Sequence, residues 1–199
     1  MARVLEFWFE FASPYSYLSA MRIMPMAHAA GVDVVWKPFL LGPIFAAQGW
    51  SDSPFNIYPA KGRYMWRDME RRAAQLELPF QRPEPFPQNG LMAARLSLAA
   101  LDHPQGHAFC QNVYSAQFAK GQDISDPGVL HQCLEATGLD AALFEQAKSD
   151  RIKQALRTQT EAAQTAGIFG APSFVASDEL FWGDDRLEDA LDHAAQIPV

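Results

Sequence analysis

The segment Ser13-Pro14-Tyr15-Ser16 constrains the fold more than any other feature of the sequence, because a predicted strand leads directly into it. Residues 4–11 are mostly apolar and aromatic and end at this segment, a pattern that predicts a buried strand. Pro14 suits the first position of a helix, and Ser13 suits the cap position before it. The sequence therefore predicts a strand, a tight turn and the start of a helix at this point of the chain.

A second motif, Gly170-Ala171-Pro172, lies far from the first in sequence and directly precedes another short predicted strand. Residues 173–175 and 180–182 predict two strands joined by a turn. A final helix is expected to open at Gly183 and the two aspartates that follow it. Both motifs therefore stand at the edges of predicted strands, where side chains of a shared site are commonly found.

Between these two ends, the pattern is first a crossover and then helical. Residues 32–39 predict a strand that pairs in parallel with the first one, because a helix ending near Gly31 joins the two. From about residue 43 to 172 no strand pattern occurs, and residues 79–89, which hold four prolines, predict a loop. The helices expected in this stretch cover residues 61–78, 90–102, 106–119, 127–137 and 140–166, the last two capped by Asp126 and Asp140.

Composition and charge limit the classes of partner. The chain has 199 residues, of which 49% are hydrophobic and 20% charged, as is ordinary for a globular protein with a sizeable core. The net charge is −7 and the basic residues form no stripe, which argues against nucleic acid or an anionic membrane as the main partner. No apolar run of about 18 residues occurs and no signal peptide is expected, so we expect a cytoplasmic protein. Cys110 and Cys133 are isolated, which predicts two buried reduced thiols and no metal site.

Five segments, in their order along the chain, resemble the DsbA-like thioredoxin superfamily, and most closely its branch of 2-hydroxychromene-2-carboxylate isomerases and kappa-class glutathione transferases. Redox members of this superfamily carry Cys-x-x-Cys where this chain has Ser13 and Ser16. The resemblance implies an α/β fold of DsbA-like type. A thioredoxin-like domain, residues 1–42 and 167–199, would carry a large all-helical insertion, residues 43–166. The five segments are residues 11–18, 37–42, 59–65, 170–172 and 181–187.

The resemblance also implies a glutathione site. Ser13 would donate a hydrogen bond to the glutathione sulfur, and Ala171, before a cis Pro172, would pair its backbone with the glutathione peptide. The family often has an asparagine shortly before its glutathione-contacting lysine, and Asn56 is the candidate for that role, with Trp50 standing where the asparagine is usual. The remaining residues implied are Lys61, the matching lysine, and Asp184 and Asp185, which would meet the γ-glutamyl end.

Three hypotheses for the function follow from these residues. Serine cannot form a disulfide, so an active site built on Ser13 has to handle a thiol brought from outside. The first hypothesis is a glutathione-dependent cis–trans isomerase of 2-hydroxychromene-2-carboxylate-type compounds, in which glutathione is a cofactor that is returned. The alternatives are a kappa-like glutathione transferase, which consumes glutathione, and a non-catalytic glutathione or peptide binder. Aromatic residues are dense around the expected site and suit a small flat aromatic substrate; they are Phe45, Trp50, Phe55, Tyr58 and Trp66. The resemblance also allows a homodimer.

Each of these residues also has a purely structural interpretation. Ser13 can act only as a helix cap, Lys61 can be a solvated surface lysine, and Pro172 can be a trans proline at the start of a strand. The two interpretations of Ser13 do not exclude each other, since a hydroxyl at a helix start can also hydrogen-bond an anion.

Overall fold

The computed structural model describes residues 3–197 and is built around one mixed sheet. The strands are β1 (Val4–Phe9), β2 (Asp33–Pro38), β3 (Ser173–Ala176) and β4 (Glu179–Trp182), in the spatial order β2-β1-β3-β4. β1 pairs in parallel with β2 and antiparallel with β3, which pairs antiparallel with β4. The predicted parallel pair and the two C-terminal strands are confirmed, although β1 ends earlier than predicted, at Phe9.

The first helix, α1 (Pro14–Ala30), begins and ends where the sequence predicts. The Ser13 hydroxyl accepts a hydrogen bond from the Ser16 N–H over 3.2 Å, which satisfies one of the free N–H groups of the first turn. At the other end Gly31 adopts a left-handed φ of 67°, which glycine does without steric cost, and its N–H bonds to carbonyls of the last turn. The start of α1 is thereby fixed at the carboxyl end of β1.

Helices fill the chain between β2 and β3. No strand occurs in residues 43–172, all of which lie in the described part of the chain, and the loop predicted over residues 79–89 is confirmed. None of the helices within residues 3–197 has the length and apolar character needed to cross a membrane. The helices are α2 (Leu41–Ala47), α3 (Pro54–Ile57), α4 (Pro59–Gln75), α5 (Leu91–Ala100), α6 (Gly106–Tyr114) with a π-helical continuation (Ser115–Ala119), α7 (Pro127–Ala136), α8 (Ala142–Gln146), α9 (Asp150–Thr165) and, after β4 and a 3₁₀ turn (Asp184–Arg186), α10 (Leu187–Gln196).

The prediction of one helix over residues 140–166 is wrong, because the chain breaks between α8 and α9. Ser149 takes an extended conformation there, and its hydroxyl accepts a hydrogen bond from the Ile152 N–H over 3.4 Å. A serine that caps a new helix start competes with continuation of the helix before it. Asp140 does bind the Ala142 N–H over 2.8 Å, at the start of the short α8. The sequence has no glycine or proline at the break. The prediction rested on the helical spacing of apolar residues, which continues across the break.

The carboxyl half of β1, from Phe7 to Phe9, is buried on both faces of the sheet, as its aromatic sequence predicts. On one face the ring centroids of Phe7 and Phe174 lie 5.5 Å apart, and that of Trp36 lies 4.9 Å from Phe7. On the other face Trp8 packs against Phe39. Fully burying a side chain of this size stabilises a fold by about 1.5–3 kcal/mol, so the aromatic strands are a main source of stability.

Both cysteines are buried and free, as predicted. Burial raises the pKa of the Cys110 thiol to about 12 and that of Cys133 to about 11, so both are neutral at physiological pH. A neutral buried thiol is a poor nucleophile and a poor metal ligand. Within residues 3–197 no group of three or more histidine, cysteine or acidic side chains is placed to hold a metal ion.

One buried carboxylate, that of Glu10, joins the end of β1 to the start of α2. Its side-chain oxygens accept hydrogen bonds from the Leu41 N–H at 2.9 Å and the Ala12 N–H at 3.3 Å. The Tyr114 hydroxyl donates a hydrogen bond to the backbone carbonyl of Glu10 over 3.0 Å. Burial raises the pKa of the Glu10 carboxyl above its ordinary value, although these backbone N–H groups act in the opposite direction.

We expect Glu10→Gln to remove a pH dependence of folding. Since the pKa is raised in the folded state, the folded protein binds the proton more tightly, and this contribution is complete below the ordinary value of 4.5 and is lost as the pH rises through the folded pKa. The stability of the wild type relative to Glu10→Gln should therefore fall with rising pH, with a slope of at most about 1.4 kcal/mol per pH unit. Urea unfolding of both proteins from acidic to mildly alkaline pH measures this difference in the free energy of unfolding. A difference that stays constant with pH would contradict a raised pKa of the Glu10 carboxyl.

Candidate functional site

A cleft of about 1190 Å³ opens beside the carboxyl end of β1, between the sheet and α4. Three segments meet at it: the start of α1, the loop before β3, and the 3₁₀ turn before α10. Five of the seven residues predicted for the site line this cleft, namely Ser13, Lys61, Ala171, Asp184 and Asp185. The fold therefore assembles residues from both ends of the chain and from the helical segment between them.

The two sequence motifs meet through Ser13. Its hydroxyl donates a hydrogen bond to the Ala171 carbonyl over 2.7 Å and accepts one from the Ser16 N–H. The serine is buried, with 6% of its surface exposed, so it lies at the floor of the cleft rather than at its rim. A hydroxyl has a single proton to donate. A ligand that brought its own N–H to the Ala171 carbonyl would free that proton to point at the ligand.

The peptide bond between Ala171 and Pro172 is cis, as predicted. Pro172 is buried and does not line the cleft, and its carbonyl accepts a hydrogen bond from the Gly183 N–H over 3.0 Å. This bond fixes the turn that carries the two aspartates to the loop that carries Ala171. The start of α1, the proline loop and the aspartate turn thus form one connected wall of the cleft.

The two aspartates of the turn differ in availability. Asp184 is buried, with 2% of its side chain exposed, and its carboxylate is already bound by Ser19, Arg22 and Arg72. The Asp185 side chain is 65% exposed and pairs with the exposed Arg186 over 3.1 Å, an interaction that solvent weakens. Asp185 can therefore receive a ligand cation, whereas Asp184 is committed to the protein.

Lys61 and Asn56 are placed differently. Lys61 is exposed in the first turn of α4, and its ammonium lies 4.9 Å from the centre of the Tyr58 ring. The Asn56 amide donates to the exposed Asp52 over 3.1 Å, and this residue lines a second cavity of about 400 Å³ instead of the cleft. The structure does not bring Asn56 together with the other predicted residues, while Trp50 does line the cleft.

Aromatic side chains cover much of the cleft wall. Phe45 lies 5.5 Å from Trp50, and Phe169 lies 4.8 Å from Trp182, between ring centres. The Trp182 indole covers Gly170 so closely that a Cβ there would come within 2.3 Å of the indole nitrogen. Glycine at this position therefore lets the indole close over the proline loop. Of the other aromatic residues predicted near the site, Phe55 lines the cleft, whereas Tyr58 and Trp66 do not.

Tyr15, Asp68 and Arg72 line the cleft with side chains that can bind a ligand, and the sequence analysis did not predict them. The Tyr15 hydroxyl donates to the Asp68 carboxylate over 2.9 Å, and burial together with this carboxylate raises the pKa of the phenol. Asp68 and Arg72 lie seven and eleven residues after Lys61, so all three share one face of α4. The sequence spacing predicts that these three residues share a face of the helix. It does not predict which face of the helix lines a cleft.

Comparison with known proteins identifies the family to which this chain belongs. Residues 4–195 match the DSBA-like thioredoxin domain family. The chain is 33% identical over 190 residues to a 2-hydroxychromene-2-carboxylate isomerase of Sphingobium xenophagum, covering 94% of this chain and 96% of that protein. It is 26% identical over 203 residues to glutathione S-transferase kappa 1 of Homo sapiens, covering 94% and 89%.

A solved structure of a 2-hydroxychromene-2-carboxylate isomerase superposes with a TM-score of 0.86 at 25% identity, covering 96% of this chain and 95% of the other. The fold class expected from the sequence, a thioredoxin-like sheet with a large helical insertion, is thereby confirmed. The chain belongs to the DsbA-like thioredoxin family, in the branch that holds the 2-hydroxychromene-2-carboxylate isomerases and their kappa-class glutathione transferase relatives.

Proposed function

We propose that the protein is a glutathione-dependent cis–trans isomerase that acts on aromatic-degradation intermediates of the 2-hydroxychromene-2-carboxylate type. The observation that carries the proposal is the Ser13 hydroxyl, which sits at a helix start, on the floor of a large cleft, and bonds to the carbonyl before a cis proline. The similarity to isomerases over nearly the whole chain supports the reaction class.

The charges of the cleft suit glutathione. At neutral pH glutathione carries two carboxylates and one ammonium group. The cleft offers two basic side chains, Lys61 and Arg72, and two exposed acids, Asp52 and Asp185, beside the buried carboxylates. Glutathione bound there supplies a thiolate, which can add to a conjugated double bond, permit rotation and leave again.

Ser13 is assigned the role of holding the sulfur as its anion. Its hydroxyl and the free N–H groups at the start of α1 favour a negative charge at this point. A free thiol with a pKa of about 8.5 needs a drop of roughly two units to be mostly ionised at neutral pH, and each unit corresponds to about 1.4 kcal/mol. Two hydrogen bonds to an ionised group are sufficient for an effect of this size.

The aromatic wall is assigned the role of holding the substrate ring. Phe45, Trp50 and Trp182 line the cleft, and offset stacking on aromatic rings contributes about 0.5–1.5 kcal/mol for each pair beyond the area that it buries. The same side chains exclude water from the reacting bond. A cytoplasmic location and a homodimer remain predictions from the sequence.

A kappa-like glutathione transferase is the second candidate, and the similarity to the human kappa enzyme favours it. The two reactions share every binding role above and differ in the fate of glutathione. A protein that only binds glutathione is the third outcome, and it would leave the substrate unchanged.

We expect glutathione to bind in the cleft beside Ser13. Calorimetry with reduced glutathione and with S-methyl glutathione tests this, since the methylated ligand keeps all contacts except those of the thiolate. Reduced glutathione should bind more tightly than the S-methyl form. No heat of binding with either ligand at millimolar concentration would overturn the proposed function.

We expect glutathione to be returned when the protein turns over a hydroxychromene carboxylate. Substrate conversion is followed by absorbance, and free thiol is counted before and after many turnovers. A constant thiol count identifies an isomerase, a loss of one thiol per turnover identifies a transferase, and binding without conversion identifies the third candidate.

We expect Ser13→Ala to lower turnover strongly while costing only about 0.5–2 kcal/mol of stability, the usual loss for a helix cap. The bound thiol should titrate at higher pH in the variant, because the anion loses a donor. The ultraviolet absorbance of the thiolate measures this pKa. Ser149→Ala is the matched control, since it removes the cap of α9 away from the cleft. Equal thiol titration in Ser13→Ala and wild type would show that Ser13 is only a cap.

A further inference from the structure

Arg72 is a cation of the cleft for which the resemblance gives no role. It lies on α4, lines the cleft, and keeps 30% of its side chain exposed. It is held in place by Asp184, whose Oδ2 accepts hydrogen bonds from its Nε at 3.2 Å and from its Nη2 at 2.7 Å. A long side chain on the surface of a helix is thereby fixed toward the proline-loop side of the cleft.

Asp184 has no acceptor capacity left for a ligand. A carboxylate offers about four lone-pair sites. Oδ2 uses two of them on Arg72, and Oδ1 accepts from Ser19 at 3.3 Å and from Arg22 at 3.0 Å. Arg22 is also paired with Glu188, so the four charged side chains balance as a network. Of the two aspartates expected at the γ-glutamyl end, Asp185 rather than Asp184 therefore has a carboxylate available for an ammonium group.

The guanidinium of Arg72 retains an edge for a ligand. Asp184 occupies the edge formed by Nε and Nη2, and the remaining edge, formed by Nη1 and Nη2, has one 3.4 Å bond to the neutral Gln75. Guanidinium edges bind carboxylates in a two-pronged geometry. The free edge therefore has the donors that a carboxylate needs, on a guanidinium that the buried Asp184 holds in place.

Glutathione has two carboxylates, and the neighbours of Arg72 indicate which of them Arg72 would bind. The γ-glutamyl end carries an ammonium and a carboxylate on one carbon, so it needs an anion and a cation side by side. Asp185 is exposed and directly follows the residue that anchors Arg72. The glycine end carries a carboxylate alone, and Lys61 lies eleven residues earlier on α4, about 16 Å along the helix axis. Lys61 is exposed, so its long side chain can extend along the helix toward the fixed Arg72. The two cations can then reach the two ends of a tripeptide, which spans about 10 Å when extended.

We propose that Arg72 binds the α-carboxylate of the γ-glutamyl residue of glutathione, and that Asp184 is a positioning residue that aims Arg72 at it. Asp185 binds the neighbouring ammonium, and Lys61 receives the glycine carboxylate. This assignment rests on the proposed use of glutathione and names the residue that distinguishes glutathione from thiols without a γ-glutamyl carboxylate.

The test compares three ligands on matched proteins. The ligands are glutathione, its analogue with the γ-glutamyl α-carboxylate converted to an amide, and its analogue with the glycine carboxylate converted to an amide. The proteins are wild type, Arg72→Met, Arg72→Lys and, as control, Arg67→Met, which removes an exposed arginine from the same helix outside the cleft. Affinities are measured by calorimetry, and circular dichroism verifies the fold of each variant.

The wild type and Arg67→Met should prefer glutathione over the α-amide by about tenfold or more, the usual size of a charged hydrogen-bonded pair. Arg72→Met should lose this preference and keep the wild-type preference for glutathione over the glycine amide. Arg72→Lys should fall between them, because lysine keeps the charge and loses the two-pronged geometry. In turnover, Arg72→Met should raise KM for glutathione with little change in kcat.

Asp184→Asn tests the positioning role separately. If it folds, it should reduce the preference over the α-amide without changing the glycine-amide preference. If it does not fold, the Arg72 variants still decide the main assignment. A wild type that does not distinguish the α-amide, or an Arg72→Met that still does, overturns the assignment while leaving glutathione binding intact. A wild type that binds no glutathione overturns the proposed function itself.

Discussion

The hydrogen bond from the Ser13 hydroxyl to the Ala171 carbonyl is the contact on which the architecture of the cleft depends. It joins two segments that are 158 residues apart, one at a helix start and one before a cis proline. The bond from Gly183 to Pro172 extends the connection to the aspartate turn. Each bond contributes only about 0.5–1.5 kcal/mol, so what they provide is position rather than stability.

Two buried acids organise the surroundings of this contact in different ways. Glu10 binds backbone N–H groups and holds the starts of α1 and α2 against the end of β1. Asp184 binds two guanidinium groups and holds the aspartate turn against α1 and α4. Removing one partner of a buried ion pair costs about 3–5 kcal/mol, because the other charge is left without compensation. Both acids therefore have mainly a structural role. They would affect a bound ligand only by positioning the groups that contact it.

The helical segment between β2 and β3 completes the cleft. The sheet side contributes a hydroxyl, a carbonyl and an exposed acid, and α4 contributes Lys61, Asp68 and Arg72 on one face. The segment that follows β2 adds aromatic side chains such as Phe45 and Trp50. Polar groups from both ends of the chain and aromatic side chains from the segment after β2 thus line the same cleft.

The sequence by itself determined the frame of this protein: the aromatic β1, the cap at Ser13, the helix end at Gly31, the parallel pairing of β1 with β2 and the replacement of a redox pair by two serines. These features follow from hydrophobic periodicity, helix caps and turns. Each depends on interactions between residues close together in the sequence, so the sequence alone predicts them. Only the tertiary structure decided that one long helical pattern breaks at Ser149 and that Asn56 lies outside the cleft. It also decided that two arginines bind the buried Asp184, whereas Asp185 stays exposed. These outcomes depend on contacts between residues far apart in the chain, which burial and charge pairing create only after the elements have packed.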